Sequence, residues 1–194
     1  MAAASMKLAT APSSADHTVG TGSSHLNGGL SADDFKLAFR NHPAGVAVIT
    51  ADCGDGPVGL TATSVFSISA EPPLLVFSLS SASSSAPTIA QAETVVVHLL
   101  TAEELSAARL FATSGVDRFA DGNSWSRLAT GEPYLLSTNS WIRGRIVDRM
   151  LAGGSTVVAV HALEARLSPD AEQDPLVYHN RTWHRLGDHS VLTD

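Results

Sequence analysis

Only one of the 194 residues is a cysteine, 16% are charged and 6% are aromatic. Each shortage excludes something. Cys53 can form neither an internal disulfide nor a thiolate metal site, and its setting, Cys53-Gly54-Asp55-Gly56-Pro57, reads as a small residue beside a turn. A reducing, cytoplasmic setting is the expectation. No apolar run is long enough to span a bilayer, and residues 1–30 contain no signal-like apolar core, so a soluble protein is expected. The net charge of −7 leaves no basic excess to neutralise phosphates, which argues against a general nucleic-acid binder. No nucleophile elbow accompanies the many serines.

What is present is an apolar chain (44% hydrophobic residues), enough for one domain with a sizeable core. Residues 1–30, rich in Ala, Ser, Thr and Gly, read as a disordered tail before a single domain over 31–190. Ser31 can cap a helix whose first turn holds Asp33 and Asp34; Pro43 and Gly45 end it. The run 45–51 is apolar on both faces, as in a strand covered on both sides. A Gly-Asp-Gly-Pro turn at 54–57 joins it to a second strand, which begins near Val58 and lasts until Pro72-Pro73 breaks it. Further strands are expected at 74–79, 94–100, 139–149, 155–166 and 175–186, the last with a break near Asn180. Short helices are expected after Ala86 and after the capping box Thr101-Ala102-Glu103-Glu104. Six or seven strands in succession, with two or three short helices, point to a mainly β protein. An antiparallel barrel fits that order; a doubly wound parallel sheet does not.

Two hydroxyl clusters stand out. "GLTATSVFSISAEPP" (59–73) places Thr61, Thr63, Ser64, Ser67 and Ser69 on or near one strand. Such a row can bind a carbonyl- and amide-rich planar ring, or it can be a plain surface strand in which Thr is a good β-former. Ser83-Ser84-Ser85 precedes a helix start at Ala86-Pro87, a setting suited to a phosphate or to an ordinary flexible loop. Two such clusters on successive strands favour one shared ligand, a polar heterocycle bearing a phosphate.

The order and spacing of these pieces resemble the flavin reductase-like family. These are FMN-binding split barrels that supply reduced flavin to two-component monooxygenases. The resemblance is carried by Phe39-Arg40-Asn41-His42-Pro43-Ala44-Gly45-Val46, "GPVGLTATSVFSISAEPPLL", "SSSAPTI", "DRFADGNSW" and "PLVYHNRTWHRL", and covers about 31–186. It implies an antiparallel split β-barrel, a homodimer with FMN or FAD near the interface, and NADH or NADPH as co-substrate. It also implies a partner monooxygenase. By the same resemblance Thr61, Ala62, Thr63, Ser64 and Ser67 line the flavin, and Ser84 and Ser85 meet its phosphate. Arg118 and Phe119 stand beside them. Many relatives carry an arginine in the phosphate loop; this chain has none there, and Arg118 is the replacement cation, or else a solvated surface arginine. Family members often have Asn at the place of Thr63 and Phe at the place of Val65.

Gly153-Gly154-Ser155 stands where many family members have Gly-Asp-His, so Ser155 occupies the nicotinamide-side position; no side chain is required as an obligate acid. Gly187-Asp188-His189 falls beyond the last matching strand. His179, His184 and His189 are spaced by five, which on a continuous strand puts neighbours on opposite faces; no metal site is expected. His98 and His161 read as mid-strand residues and His42 as a turn residue near the site. Trp125, Trp141, Trp183 and Tyr178 read chiefly as packing aromatics. Two functions remain open: an NAD(P)H-dependent flavin reductase, or a flavin-binding split barrel with weak or no reductase activity, acting as a carrier or sensor. A split-barrel oxidoreductase using another flavin or a deazaflavin is the third.

Overall fold

The computed structural model describes residues 28–167 and 174–193. The tail expected over 1–30 lies outside the described residues except for its last three. Ser31 caps α1 (Ala32–Arg40), its hydroxyl accepting the Asp34 N–H at 3.1 Å. No residue of α1 is buried, although Phe35, Leu37 and Phe39 lie on it.

The apolar run after α1 divides at Val46 into β1 (Ala44–Gly45) and β2 (Ala47–Ala51). Every residue of β2 is buried because each face meets its own cluster. Ile49 packs with Phe77, Val97 and Val160 on one side; Val48 packs with Ala108, Phe111 and Leu135 on the other. This is the two-sided burial that the unbroken apolar pattern implies. The turn at 54–57 leads to β3 (Val58–Ala62). Gly54-Asp55-Gly56-Pro57-Val58-Gly59 has the spacing of a dinucleotide fingerprint, but it opens a strand instead of a helix, so it cannot act as one.

The strand expected from Val58 to the prolines does not run through. It stops at Ala62 and resumes as β4 (Phe66–Ala70), which turns at Glu71-Pro72 into β5 (Pro73–Ser80). Then come α2 (Ala86–Gln91), β6 (Thr94–Leu99), α3 (Leu105–Ala112), β7 (Trp125–Arg127) and β8 (Pro133–Leu135). The chain continues with β9 (Trp141–Ala152), β10 (Ser155–Arg166), β11 (Leu176–His179) and β12 (Thr182–Arg185). The expected capping box forms: Glu104 accepts the Thr101 N–H at 2.7 Å and opens a 3-10 turn that runs into α3. The expected 175–186 strand is a hairpin, reversed at Asn180 and Arg181, whose φ values are 49° and 61°. The short β7–β8 hairpin has too few residues in each arm to show a period in sequence.

Seven strands form one antiparallel sheet in the order β3-β2-β6-β9-β10-β5-β4, and β1-β11-β12 form a small second sheet. The two edges of the large sheet, β3 and β4, are consecutive in the chain. Residues 63–65 must therefore bridge them, and such a link reaches at most about 14 Å. A flat seven-stranded sheet would hold its edges about 29 Å apart. The sheet must curl until its edges face each other across a seam without strand pairing, which is the split barrel. Among the described residues no helix is long and apolar enough to cross a membrane.

Candidate functional site

The seam opens into a cavity of about 580 Å³. Its floor is the end of β3 and the link Thr63-Ser64. Ser78 and Ser80 at the end of β5 and Ser83 and Ser84 of the serine loop form one wall. Phe111 and Ala112 at the end of α3, then Ser114, Gly115 and Arg118, form the other. Two contacts hold α3 close. A Cβ on Gly59 would sit 2.5 Å from the Phe111 ring, so the glycine lets the helix approach β3. Thr61 Oγ1 donates to the Ala108 carbonyl at 2.7 Å.

Several of the hydroxyls are committed to the fold. Ser64 Oγ accepts the Ser78 N–H at 2.9 Å and donates to the Ser78 carbonyl at 3.3 Å, so a side chain continues the β4–β5 ladder where the backbone leaves it. Ser85 is buried and donates to the Gly59 carbonyl at 2.7 Å. Ser81 donates to the Gly154 carbonyl at 2.8 Å, tying the serine loop to the β9–β10 turn. Thr63 and Ser84 are exposed on the cavity. Arg118 reaches Ser84 Oγ through Nη1 at 3.3 Å and the Thr113 carbonyl through Nη2 at 2.8 Å, while its buried Nε finds no acceptor among the described residues. Among the described residues, Arg118 is the only charged side chain lining the cavity. A cavity with hydroxyls on several walls, one under-satisfied guanidinium and no carboxylate suits a polar ligand with an anionic group.

A second cavity, about 620 Å³, adjoins the first. Thr63 and Ser64 line both. It lies between α1, the turn holding His42, the start of β4 and the β11–β12 hairpin.

The flavin reductase like domain family matches residues 39–187, most of the chain. The chain belongs to this family. An NADH:FMN oxidoreductase of Rhodococcus erythropolis is 42% identical over 162 residues, covering 82% of this chain and 84% of the relative. The crystal structure of a flavin reductase domain protein from Arthrobacter sp. FB24 superposes with a TM-score of 0.76 at 35% identity, over 84% of this chain and 97% of that one. BorF, the flavin reductase component of a bacterial two-component tryptophan halogenase, superposes at 0.73 with 25% identity, over 81% of this chain and 99% of that one.

For this flavin reductase family chain, the residues singled out by sequence divide. Thr61, Ala62, Thr63, Ser64, Ser84 and Arg118 come together around the first cavity. Ser67, Ser85, Phe119 and Ser155 do not line it. Ser67 is exposed on the β4 edge, opposite Leu75. Phe119 packs edge-on between Phe111 and Trp125, 5.3 and 5.2 Å away, and so supports the Arg118 loop from behind. Ser155 opens β10 opposite Ser80, one strand away from the cavity wall. Ser78, Ser80 and Ser114 line the cavity too, and sequence reasoning missed them; Ser78 and Ser80 share one alternation of β5 and were the available signal.

The histidines also sort themselves. His98 is fully buried; Nδ1 bonds the Val48 carbonyl at 3.0 Å and Nε2 accepts the Leu135 N–H at 3.1 Å, so the neutral tautomer with hydrogen on Nδ1 is fixed. Burial pushes its pKa down to about 4. His179 and His184 are not on opposite faces, because the turn at 180–181 folds the chain back and brings their rings within 5.5 Å. Among the described residues no group of three or more His, Cys, Asp or Glu is placed to hold a metal ion. Cys53 is exposed; partial desolvation and the carboxylates of Asp52 and Asp55 raise its thiol pKa, which disfavours a nucleophile.

Proposed function

We propose that this protein is an NADH-dependent flavin reductase that binds FMN in the seam cavity and passes reduced flavin to a partner monooxygenase. The observation that carries this reading is the cavity itself. The end of β3, the end of β5, the serine loop and Arg118 converge on one space of about 580 Å³, within the range of small-molecule sites. The residues present fit FMN. Thr61 and Thr63 face the space expected for its ring and ribityl chain. Ser84 and Arg118 stand together where a phosphate would complete the hydrogen bonding of the guanidinium. Thr61, whose proton is held by Ala108, can only accept there, whereas Thr63 and Ser84 are free to donate.

Bound flavin would supply the hydride-accepting chemistry, with the dihydronicotinamide as hydride donor. The chain's own part is to hold two planar rings in contact and to keep the flavin phosphate anchored while they meet. The relative in Rhodococcus erythropolis supports FMN and NADH as the preferred pair. The similarity to a halogenase reductase component supports delivery of reduced flavin to a separate oxygenase. A homodimer in a reducing cytoplasm completes the reading; the uncovered Phe35, Leu37 and Phe39 of α1 offer an apolar face for the second copy.

Ser155 favours one alternative. With serine at the place of the family's histidine, the chain could be a flavin carrier or sensor that reduces its ligand poorly. Anaerobic mixing of the FMN-bound protein with NADH decides. Bleaching of the flavin band with loss of nicotinamide absorbance is the expected result. Binding of FMN without bleaching by NADH or NADPH would leave the carrier reading, and no binding of FMN, FAD or a deazaflavin would remove both.

A further inference from the structure

The stretch "DRFADGNSW" ends on an aromatic that the flavin reading leaves unused. Trp125 opens β7 and does not line the seam cavity. Its indole Nε1–H donates to the Phe119 carbonyl at 3.0 Å, and its ring meets the Phe119 ring at 5.2 Å and 83°. Residues 114–120, which carry Arg118, form neither helix nor strand. Among the described residues, only two side chains hydrogen-bond this segment to residues outside it. Arg118 does so through Ser84 and the Thr113 carbonyl, and Trp125 through Phe119. Trp125 is itself clamped. It pairs with Leu135 in the β7–β8 hairpin, and Arg127 Cζ lies 5.6 Å from its ring centroid, within cation–π range. Arg127 is held in turn by Asp52 at 2.6 Å, and Asp52 accepts the N–H groups of Gly54 and Gly56 at 2.7 and 3.2 Å. A chain of contacts thus runs from the β2–β3 turn to the carbonyl of the residue that follows Arg118.

We propose that Trp125 is a positioning residue for the flavin phosphate. It fixes the segment that carries Arg118, and so sets the preference for a phosphorylated flavin from a place that touches no part of the ligand. This rests on the FMN reading above. A guanidinium on an irregular segment must be ordered before it can hold an anion in fixed geometry, and that ordering costs binding free energy. The indole bond and the ring contact order the segment before the ligand arrives. With the bond withdrawn, the ordering cost falls on the ligand, and only on a ligand that engages Arg118. FMN does so through its phosphate; riboflavin has no group that reaches it. Trp125 therefore packs, as its sequence setting suggests, and the packing has a directed consequence at the cavity.

The test is a double-mutant cycle read by fluorescence titration with two ligands, FMN and the phosphate-free riboflavin. Trp125→Phe keeps a ring beside Phe119 and removes the N–H. It should raise the FMN Kd about three- to tenfold, the effect of one hydrogen bond, and move the riboflavin Kd by less than about twofold. In an Arg118→Gln background the same substitution should move the FMN Kd by less than about twofold, because the group it positions is gone. Phe119→Leu, which withdraws the ring contact and leaves both the arginine and the indole, should weaken FMN in the same selective way. Three results would overturn the proposal: equal weakening of the two ligands by Trp125→Phe, an unchanged FMN Kd in both Trp125→Phe and Phe119→Leu, or an effect of Trp125→Phe that persists in full without Arg118. A parent protein that binds FMN no more tightly than riboflavin, or an Arg118→Gln variant that keeps the full preference, would instead sink the phosphate reading itself, and the proposal with it.

Discussion

The hydroxyl stretches 61–69 and 80–85 have similar compositions, yet their members do two kinds of work. Thr61, Ser64, Ser81 and Ser85 donate to main-chain carbonyls of other elements and so tie together the walls of the cavity. Thr63 and Ser84 stand open on the cavity. The difference between them is the presence of a main-chain partner within 3.3 Å, since the chemical group is the same. A count of hydroxyls therefore overstates the capacity for a ligand, and some of the apparent binding wall is stitching that shapes the space. His98 is the extreme of the committed class, with both ring nitrogens bonded in the core.

That contrast can be tested at its committed extreme first. The folded pKa of His98, about 4, lies below its ordinary value of 6.5, so the fold holds the neutral ring. Its contribution is fully present above pH 6.5 and is lost as pH falls towards 4, to a limit of about 3 kcal/mol. Urea midpoints measured across that range should fall, and His98→Gln should flatten this slope. Asp52, lowered by Arg127 and the Gly54 and Gly56 N–H groups, and Glu132, lowered by Thr130, Thr94 and Arg143, both against the effect of burial, give up their contributions below their ordinary carboxylate values, so their window opens near the acid end of that of His98.

Among the open groups, Arg118→Gln should weaken FMN by about 1.5–3 kcal/mol while riboflavin, which lacks the phosphate, changes little. Equal weakening of both ligands in titrations would place the guanidinium elsewhere. Ser85→Ala should cost about 1–2 kcal/mol of stability, because the buried Gly59 carbonyl loses its donor, with FMN affinity nearly kept. Ser84→Ala should do the reverse at a smaller scale: FMN binding weaker by about 0.5–1.5 kcal/mol, with thermal stability unmoved. If Ser84 and Ser85 behave alike in both measurements, the division into stitching and open hydroxyls fails.

Much of the fold was legible because its signals are local. Ser31 caps α1, Thr101 and Glu104 form their box, and the apolar run of β2 marks burial on two sides. Half of the first cavity was legible as well, since Thr61 to Ser64 are contiguous and Ser84 sits in a serine run. Ser78 and Ser80 were not, because a strand with outward hydroxyls looks like any strand with one solvated face. The second cavity escaped for another reason. Its parts come from 35–44, 63–66 and 178–181 and meet only because β1 pairs with β11 beside the seam.

By itself the sequence determined the helix caps, most of the strands, the two hydroxyl clusters and the family, all of which depend on neighbours a few residues apart. Only the tertiary structure decided which hydroxyls remain for a ligand. The partner that takes each proton, Ser78 for Ser64, Gly59 for Ser85, Ala108 for Thr61 and Gly154 for Ser81, lies between 14 and 73 residues away in the chain. A hydrogen bond at that separation exists only once the strands and α3 have come together, and the Ser85–Gly59 bond only once the serine loop has met the β3 edge.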